Sequence, residues 1–382
     1  TIRLDIAFIA KRYDTVGGTE RDLYHLTELL TRLGHRVTVY CQEVRTTPAD
    51  GVSIRKVPSL PGRTAKLWSL ALLGPKMAYR SGHDLVIGFT RVLRQDIVRC
   101  GGGTHRVFLE RISDAEGELK SFFKRFSPYH NSLLFIEKRQ LQKGNEKVLA
   151  ISDVVRKEIV SVYGVSEDSI EVIYDGIDTE TFNPSQKSIY RESIRKEFGL
   201  PLDRPVILFL GNGFKRKGLG TLIEALFLLK DKDIYSLVVG GDASMKSYKE
   251  KAGAVGLKDK VVFAGPQKSP ERFYAAADIF VMPSLQEAFG NSVLEAMACG
   301  LPAITTKIAG ASEIMTGELA DYVLADPLDA VCLSEMISRL LEPGKMERLG
   351  MDARFIAKRY TVESNARGIE DLFKRVLEEK KK

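Results

Sequence analysis

Two glutamates, Glu287 and Glu295, flank the run Ala288-Phe289-Gly290-Asn291-Ser292-Val293-Leu294, and Ala-Met-Ala-Cys-Gly-Leu-Pro302 follows directly. Gly290 supplies a turn, and Asn291 or Ser292 is placed to cap a helix start. At about 1.5 Å of rise per residue, the two carboxylates stand roughly 12 Å apart when helical, somewhat more with a loop. That is the length of a sugar nucleotide from hexose to ribose, so each glutamate can bond hydroxyls at one end. The N–H groups of the helix start then face the diphosphate between them. Upstream, Gly211-Asn-Gly-Phe-Lys-Arg-Lys-Gly218 sets three consecutive cations between glycines. Arg216 offers a fork and Lys217 a point charge, which together neutralise a diphosphate without a metal. Gly17-Gly18 lets backbone N–H groups approach a phosphate, and a plain turn explains the pair equally well. No GxxxxGK[ST] is present, and Val16-Gly-Gly-Thr-Glu-Arg21 is not GxGxxG, which argues against a nicotinamide enzyme.

Other features point away from metals and toward an anionic partner. Asp231-Lys-Asp233 spells a DxD, but it lies between a helix and a strand start and reads as a solvated turn; no metal and no cofactor are expected. Four isolated cysteines form no zinc or redox spacing, so reduced thiols in a cytoplasmic protein are expected. Residues 1–170 carry 27 Lys+Arg against 19 Asp+Glu, whereas residues 171–382 carry 30 against 31. A basic half implies an anionic partner for that half: phospholipid, phosphorylated glycan or nucleic acid. Within it, residues 119–141 interleave Phe122, Phe123, Phe126, Tyr129 and Phe135 with Lys120, Lys124, Arg125, Lys138 and Arg139. That mixture suits a bilayer interface or a lipid-linked acceptor, and equally the packing of an inserted helix. No run approaches the ~20 apolar residues of a membrane span, and the N-terminus reads as a strand, not a signal peptide.

The elements that position these residues alternate strand and helix. Leu4–Ala10, Val37–Cys41, Ile54–Val57 and Leu85–Phe89 read as strands, with a helix carrying Leu23, Leu26 and Leu30 stopped by Gly34. The pattern repeats with strands at Val206–Leu210, Ser236–Val239, Val261–Phe263, Ile279–Met282 and Ala303–Thr305, and helices at Leu219–Lys230, Glu271–Ala277 and Asn291–Cys299. The expected fold is α/β, two Rossmann-like domains facing across a cleft. Their spans are 1–183, joined by a C-terminal helix of about 362–382, and 184–361, with TFNPSQKS as linker and the last forty residues wholly helical. Ligands in such sheets sit beyond the carboxyl ends of the strands.

The Glu287/Glu295 pair, the following AMACGLP and the upstream GFKRKGLGTLIEAL resemble the retaining glycosyltransferases of family 4, which have the double-Rossmann B-type fold. Tyr174-Asp-Gly-Ile-Asp178 resembles that family's interdomain segment, with Asp175 where Asn is usual. Within the family, YDTVGGTERDL, VIGFTRVLRQD and FKRKG are similar to the lipopolysaccharide core glucosyltransferases, while RCGGGTHRVFLER departs from them. The resemblance implies that Glu287 contacts sugar hydroxyls with the backbone of Ala288, Phe289, Gly290 and Asn291. It puts Glu295 on the ribose, Arg216 and Lys217 on the diphosphate, and Gly17 and Gly18 closing from the other domain. Asp96 matches an active-site aspartate, although a capping role fits it too; His105 falls near the sugar's 6-hydroxyl, and Gln267 meets the base.

The expectation is a retaining, metal-independent transfer of a hexose, glucose from UDP-glucose, onto a lipopolysaccharide core or similar lipid-linked glycan. It would act at the cytoplasmic face of the inner membrane, held there by residues 119–141, with no nucleic-acid partner. Two rivals remain: a sugar-nucleotide epimerase on the same fold, and a non-catalytic protein binding anionic membranes.

Overall fold

A computed structural model describes residues 3–116, 127–142 and 147–381. The chain divides into two compact units, Thr1–Gly176 with Val362–Lys382, and Ile177–Thr361.

The first unit is built on β1 (Asp5–Tyr13), α1 (Gly18–Arg32), β2 (Arg36–Val44), β3 (Val52–Lys56), α2 (Arg63–Arg80), β4 (Leu85–Gly88) and β5 (Ile97–Cys100). It continues with α3 (His105–Glu116), α4 (Pro128–Gln142), β6 (Lys147–Ala150), α5 (Asp153–Tyr163) and β7 (Ile170–Val172). Seven parallel strands run in the order β3-β2-β1-β4-β5-β6-β7. The central strand β1 shows why both faces must be covered: Ile6, Ala7, Phe8 and Ile9 are all buried. Alternate side chains take opposite sides. Ile6 and Phe8 pack with Leu23, Leu26 and Leu30 of α1, whereas Ala7 and Ile9 meet Leu70 and Ala78 of α2. On that second face, a Cβ at Gly74 would lie 2.8 Å from Ile9 Cγ2, so α2 comes close only because that residue is glycine.

The second unit comprises α6 (Gln186–Glu197), β8 (Val206–Leu210), α7 (Leu219–Leu228), β9 (Tyr235–Val239), α8 (Met245–Ala254), β10 (Val261–Gly265) and α9 (Glu271–Ala276). Next come β11 (Ile279–Val281), α10 (Asn291–Ala298), β12 (Ala303–Thr306), β13 (Val323–Leu324), α11 (Ala330–Leu340) and α12 (Lys345–Ala357). Its six strands are also parallel, in the order β10-β9-β8-β11-β12-β13. The strand order reverses between β8 and β11, which opens a crevice at their carboxyl ends. The cationic turn follows β8 and the acidic loop follows β11, so topology alone makes them neighbours.

Three boundaries differ from the sequence reading. The units part at Gly176 and Ile177, not at 183 and 184, because the following segment packs into the second unit. Phe182 is buried there with its ring 5.9 Å from Tyr274, and Arg354 donates to the carbonyls of Phe182 and Ala298 at 2.9 and 2.7 Å. The expected linker is partly helix, since α6 begins at Gln186. The last forty residues form two helices, α12 and α13 (Val362–Lys381), broken around Thr361, which bridges to Ile177. Helix α13 buries Ile369, Leu372 and Phe373 in the core of the first unit.

Candidate donor site at the carboxyl edge of the second sheet

The turn after β8 exists because glycine permits it. A Cβ on Gly211 would sit 2.4 Å from Lys217 Cε, and one on Gly218, whose φ is 81°, would sit 1.9 Å from the Pro283 carbonyl oxygen. The cationic turn is thereby pressed onto the loop after β11, and Leu285 N–H donates to the Arg216 carbonyl at 2.8 Å. From this platform Arg216 Nη1 donates to Glu287 Oε2 at 2.8 Å and to the Gln286 carbonyl at 2.8 Å. Lys217 Nζ reaches the same Oε2 at 2.9 Å. Burial would raise the Glu287 carboxyl's pKa, but Lys217 and then Arg216 outweigh it and hold the group at about 2. The expected sugar ligand and the expected diphosphate ligands thus form one ion cluster. Among the described residues Arg216 spends only Nη1 on hydrogen bonds, which leaves the rest of its fork for an anion.

Helix α10 begins beside this cluster. Its cap is Gly290, with φ 103° and no side-chain hydrogen bond, so neither Asn291 nor Ser292 caps it as the sequence suggested. An open helix N-terminus favours anions. The backbone around it is fixed from the far side: Ala311 N–H donates to the Phe289 carbonyl at 2.7 Å, and Gly310 N–H to that of Glu287 at 3.3 Å. The short stretch from Glu287 through Ala288 to Asn291 is consequently held by the segment that follows β12. Glu295, further along α10, is buried, with the Tyr274 hydroxyl 2.7 Å from Oε2.

Sequence reading missed two supports. Asp242, after β9, accepts from Phe214 N–H at 2.6 Å and Ser244 N–H at 2.8 Å, and Asn212 Oδ1 accepts from Gly241 N–H at 2.9 Å. The Gly240-Gly241-Asp242 run behind a strand was the available signal. Gln267 follows the edge strand β10, two strands away from β8, and bonds its own turn through the Ala264 carbonyl at 2.9 Å. The Asp231–Asp233 turn precedes β9 at the amino edge, where Asp233 pairs with Arg204 at 3.0 Å. Among the described residues, no group of three or more His, Cys, Asp or Glu is arranged to hold a metal.

The remaining sequence candidates lie in the first unit. Asp96 precedes β5, at the amino ends of the strands and so on the opposite side of the sheet from where ligands bind. Its carboxylate accepts from Val86 N–H at 2.8 Å and the Tyr79 hydroxyl at 3.1 Å, and pairs with Lys380 at 2.8 Å. These bonds make Asp96 a strand tie, and it leaves the candidate site. Gly17 caps α1 with φ 107°, but a Cβ there would lie 2.6 Å from Glu20 Oε2. The carboxylate of Glu20 therefore occupies space at that helix start that the sequence reading gave to a phosphate, and Gly18 is the helix's first residue. His105 starts α3 after β5, at the carboxyl edge, with Nε2 3.0 Å from His130 Nδ1. Burial first, then Arg91, push its pKa down to about 4, so the ring is neutral. The backbone N–H of His105 donates to Glu137, a buried carboxylate that also accepts from Arg91 at 2.8 Å and the Tyr163 hydroxyl at 2.6 Å. Residues 119–126 of the basic-aromatic segment lie outside the described residues. The rest forms α4, which buries Leu133, Ile136 and Leu141 and exposes Phe135. No described helix is long and apolar enough to cross a membrane.

Residues 190–360 match the family model "Glycosyl transferases group 1", and residues 16–181 match "Glycosyltransferase Family 4". The chain is 32% identical to an uncharacterized glycosyltransferase of Methanocaldococcus jannaschii, over 83% of this chain and 84% of the relative. It is 25% identical to the lipopolysaccharide glucosyltransferase WaaG of Escherichia coli, over 88% and 89%. A D-inositol 3-phosphate glycosyltransferase of Xylanimonas cellulosilytica is 30% identical over 60% of this chain, which spans 58% of that relative's length. Among solved structures, WaaG superposes with a TM-score of 0.80 at 23% identity, covering 96% of this chain and 99% of that one. HepE of Anabaena, in complex with UDP and glucose, superposes with a TM-score of 0.72 at 19% identity over 98% and 100%. At those identities the structures speak for the fold.

Proposed function

The chain belongs to the group 1 glycosyltransferases, with a family 4 glycosyltransferase domain in its first half, and from that premise we propose the reaction it performs. It transfers a hexose, glucose from UDP-glucose, with retention and without a metal, to a lipid-linked core oligosaccharide at the cytoplasmic face of a membrane. The observation that carries this reading is the Arg216–Glu287–Lys217 cluster beside the uncapped start of α10. Charge develops on the leaving diphosphate oxygen, and preorganised cations and helix N–H groups stabilise it most where water is excluded. In this reading Arg216 and Lys217 turn from Glu287 toward the diphosphate, freeing the Glu287 carboxylate for the sugar's hydroxyls. The departing phosphate takes the acceptor's proton, so no side-chain nucleophile is required. Glu295 receives the ribose, Gln267 lies toward the base, and neutral His105 bonds a sugar hydroxyl.

The test is UDP-glucose turnover with cell-envelope extract as acceptor. Lys217→Ala removes a charge-assisted contact worth about 1.5–3 kcal/mol, a loss of roughly 10- to 150-fold in turnover. EDTA is expected to change nothing. Loss of transfer in EDTA, or full turnover by Lys217→Ala, overturns the metal-free diphosphate site. Conversion of the donor without acceptor would instead favour the epimerase.

A further inference from the structure

The amino ends of the first unit's strands form an open cavity of about 680 Å³, on the far side of the sheet from the edge where ligands of such folds sit. That volume is in the range of small-molecule sites. Arg3 ahead of β1, Asp5 at its start, Arg36 and Thr38 on β2, Ser53 on β3 and His83 ahead of β4 line it. Strand alternation explains the grouping. Arg36 and Thr38 lie two apart on β2 and share a face, Asp5 stands opposite Arg36, and Ser53 stands opposite Thr38.

The charges in this lining do not cancel. Asp5 is its one carboxylate among the described residues, and both oxygens are taken: His83 Nδ1 lies 2.6 Å from Oδ1, and Arg36 Nη2 lies 2.7 Å from Oδ2. Arg36 is largely exposed and commits only that nitrogen of its fork among the described residues. Arg3 meets no carboxylate within 4 Å and makes no side-chain hydrogen bond among the described residues. The hydroxyls of Thr38 and Ser53 likewise have no protein partner among them. One free guanidinium, one half-used guanidinium and two adjacent hydroxyls therefore face a space that offers them no acceptor. A carboxylate would be met by a single guanidinium fork, whereas donors from three segments suit the three terminal oxygens of a phosphate. We propose that this cavity binds a small phosphomonoester, its phosphate held by Arg3, Arg36, Thr38 and Ser53 and its organic part filling the remaining volume. Strand β1 is nine residues long and sets the cavity roughly 25 Å from the carboxyl edge. The ligand touches none of the groups at that edge, so it is an effector and not a substrate of a reaction carried out there.

Arg3 and Ser53 provide the test, because both are exposed and neither has a protein side-chain partner among the described residues. Ser53→Asp and Ser53→Asn differ in charge and hardly in shape. The full chain is titrated calorimetrically with ribose 5-phosphate as a compact phosphomonoester, with ribose and with inorganic phosphate. The native protein is compared with both Ser53 variants, Arg3→Gln and Lys217→Ala, after thermal melts confirm folding. Ribose 5-phosphate is expected to bind the native chain, Ser53→Asn and Lys217→Ala alike, and about tenfold or more weaker to Ser53→Asp and Arg3→Gln. Ribose is expected not to bind, and UDP affinity is expected to be the same in Ser53→Asp, Arg3→Gln and the native chain. No binding of ribose 5-phosphate by the native chain, or identical behaviour of the Asp and Asn variants, would overturn the site. Loss of ribose 5-phosphate in Lys217→Ala would place it in the second unit instead and overturn the site equally. Inorganic phosphate binding as tightly as ribose 5-phosphate would overturn the ester.

Discussion

A carboxylate held between two cations titrates unlike one that shares a guanidinium with a second carboxylate, and this chain contains both. Glu287 stays ionised to about pH 2 because Lys217 and Arg216 overcome its burial. Asp175 goes the other way: burial, then the adjacent Asp22, push its pKa up to about 7 against the pull of Arg99. The folded chain thus holds a proton at this pair that the unfolded chain releases near the ordinary carboxylate pKa. Stability from Asp175 is fully present below about pH 4 and is lost as the pH rises through about 7. Asp175→Asn keeps the shape and removes the titration. Urea unfolding of variant and native chain from pH 5 to 8 is expected to show the variant gaining relative stability as pH rises. A constant difference across that range would show that Asp175 is ionised throughout.

At the scale of elements, the contact between the cationic turn and the acidic loop depends on a close backbone approach that can be measured. Gly218→Ala combines a positive φ with a Cβ 1.9 Å from a carbonyl oxygen, whereas Gly256→Ala has φ 78° and open space. The second substitution is expected to cost about 1–2 kcal/mol, the backbone penalty alone. The first is expected to cost more and to lower UDP-glucose turnover, because the turn must lift off Pro283 and carry Arg216 and Lys217 with it. Equal costs in urea denaturation would show the loops are not pressed together. These turns were legible in the sequence, since glycines next to charges after an apolar strand leave little choice of conformation. Asp96 was misplaced because β5 to β7 are only three or four residues long and went unread, and a residue before a strand lies on the other side of the sheet from one after it. Glu137 was invisible for another reason: a buried carboxylate on α4 gains meaning only once Arg91, His105 and Tyr163 converge on it from other elements.

For the whole molecule, the first unit is closed by the twenty-residue helix α13, reached only after the chain has built the second. Phe373 is fully buried with its ring 6.4 Å from Phe8 on the central strand. Phe373→Ala is expected to cost the first unit about 3–5 kcal/mol, read as an earlier transition in urea, with a UDP site in the second unit retained after that transition. The charge imbalance is also a property of the first half, +8 over residues 1–170 against −1 over the rest. Its surface exposes Leu60, Leu72 and Phe135, the last with its ring 5.9 Å from that of Trp68, and Arg63 stacks on Tyr129 at 3.9 Å. Cations near an anionic bilayer contribute about 1 kcal/mol each, and apolar side chains add insertion that salt does not screen. The chain is therefore expected to sediment with anionic vesicles, to be released by high salt, and to stay in the supernatant when neutral vesicles are pelleted. Leu72→Ser with Phe135→Ser is expected to weaken sedimentation while UDP-glucose turnover with a soluble acceptor persists. Equal binding to neutral vesicles would overturn the electrostatic attraction, and full sedimentation of the double variant would move the contact away from α2 and α4.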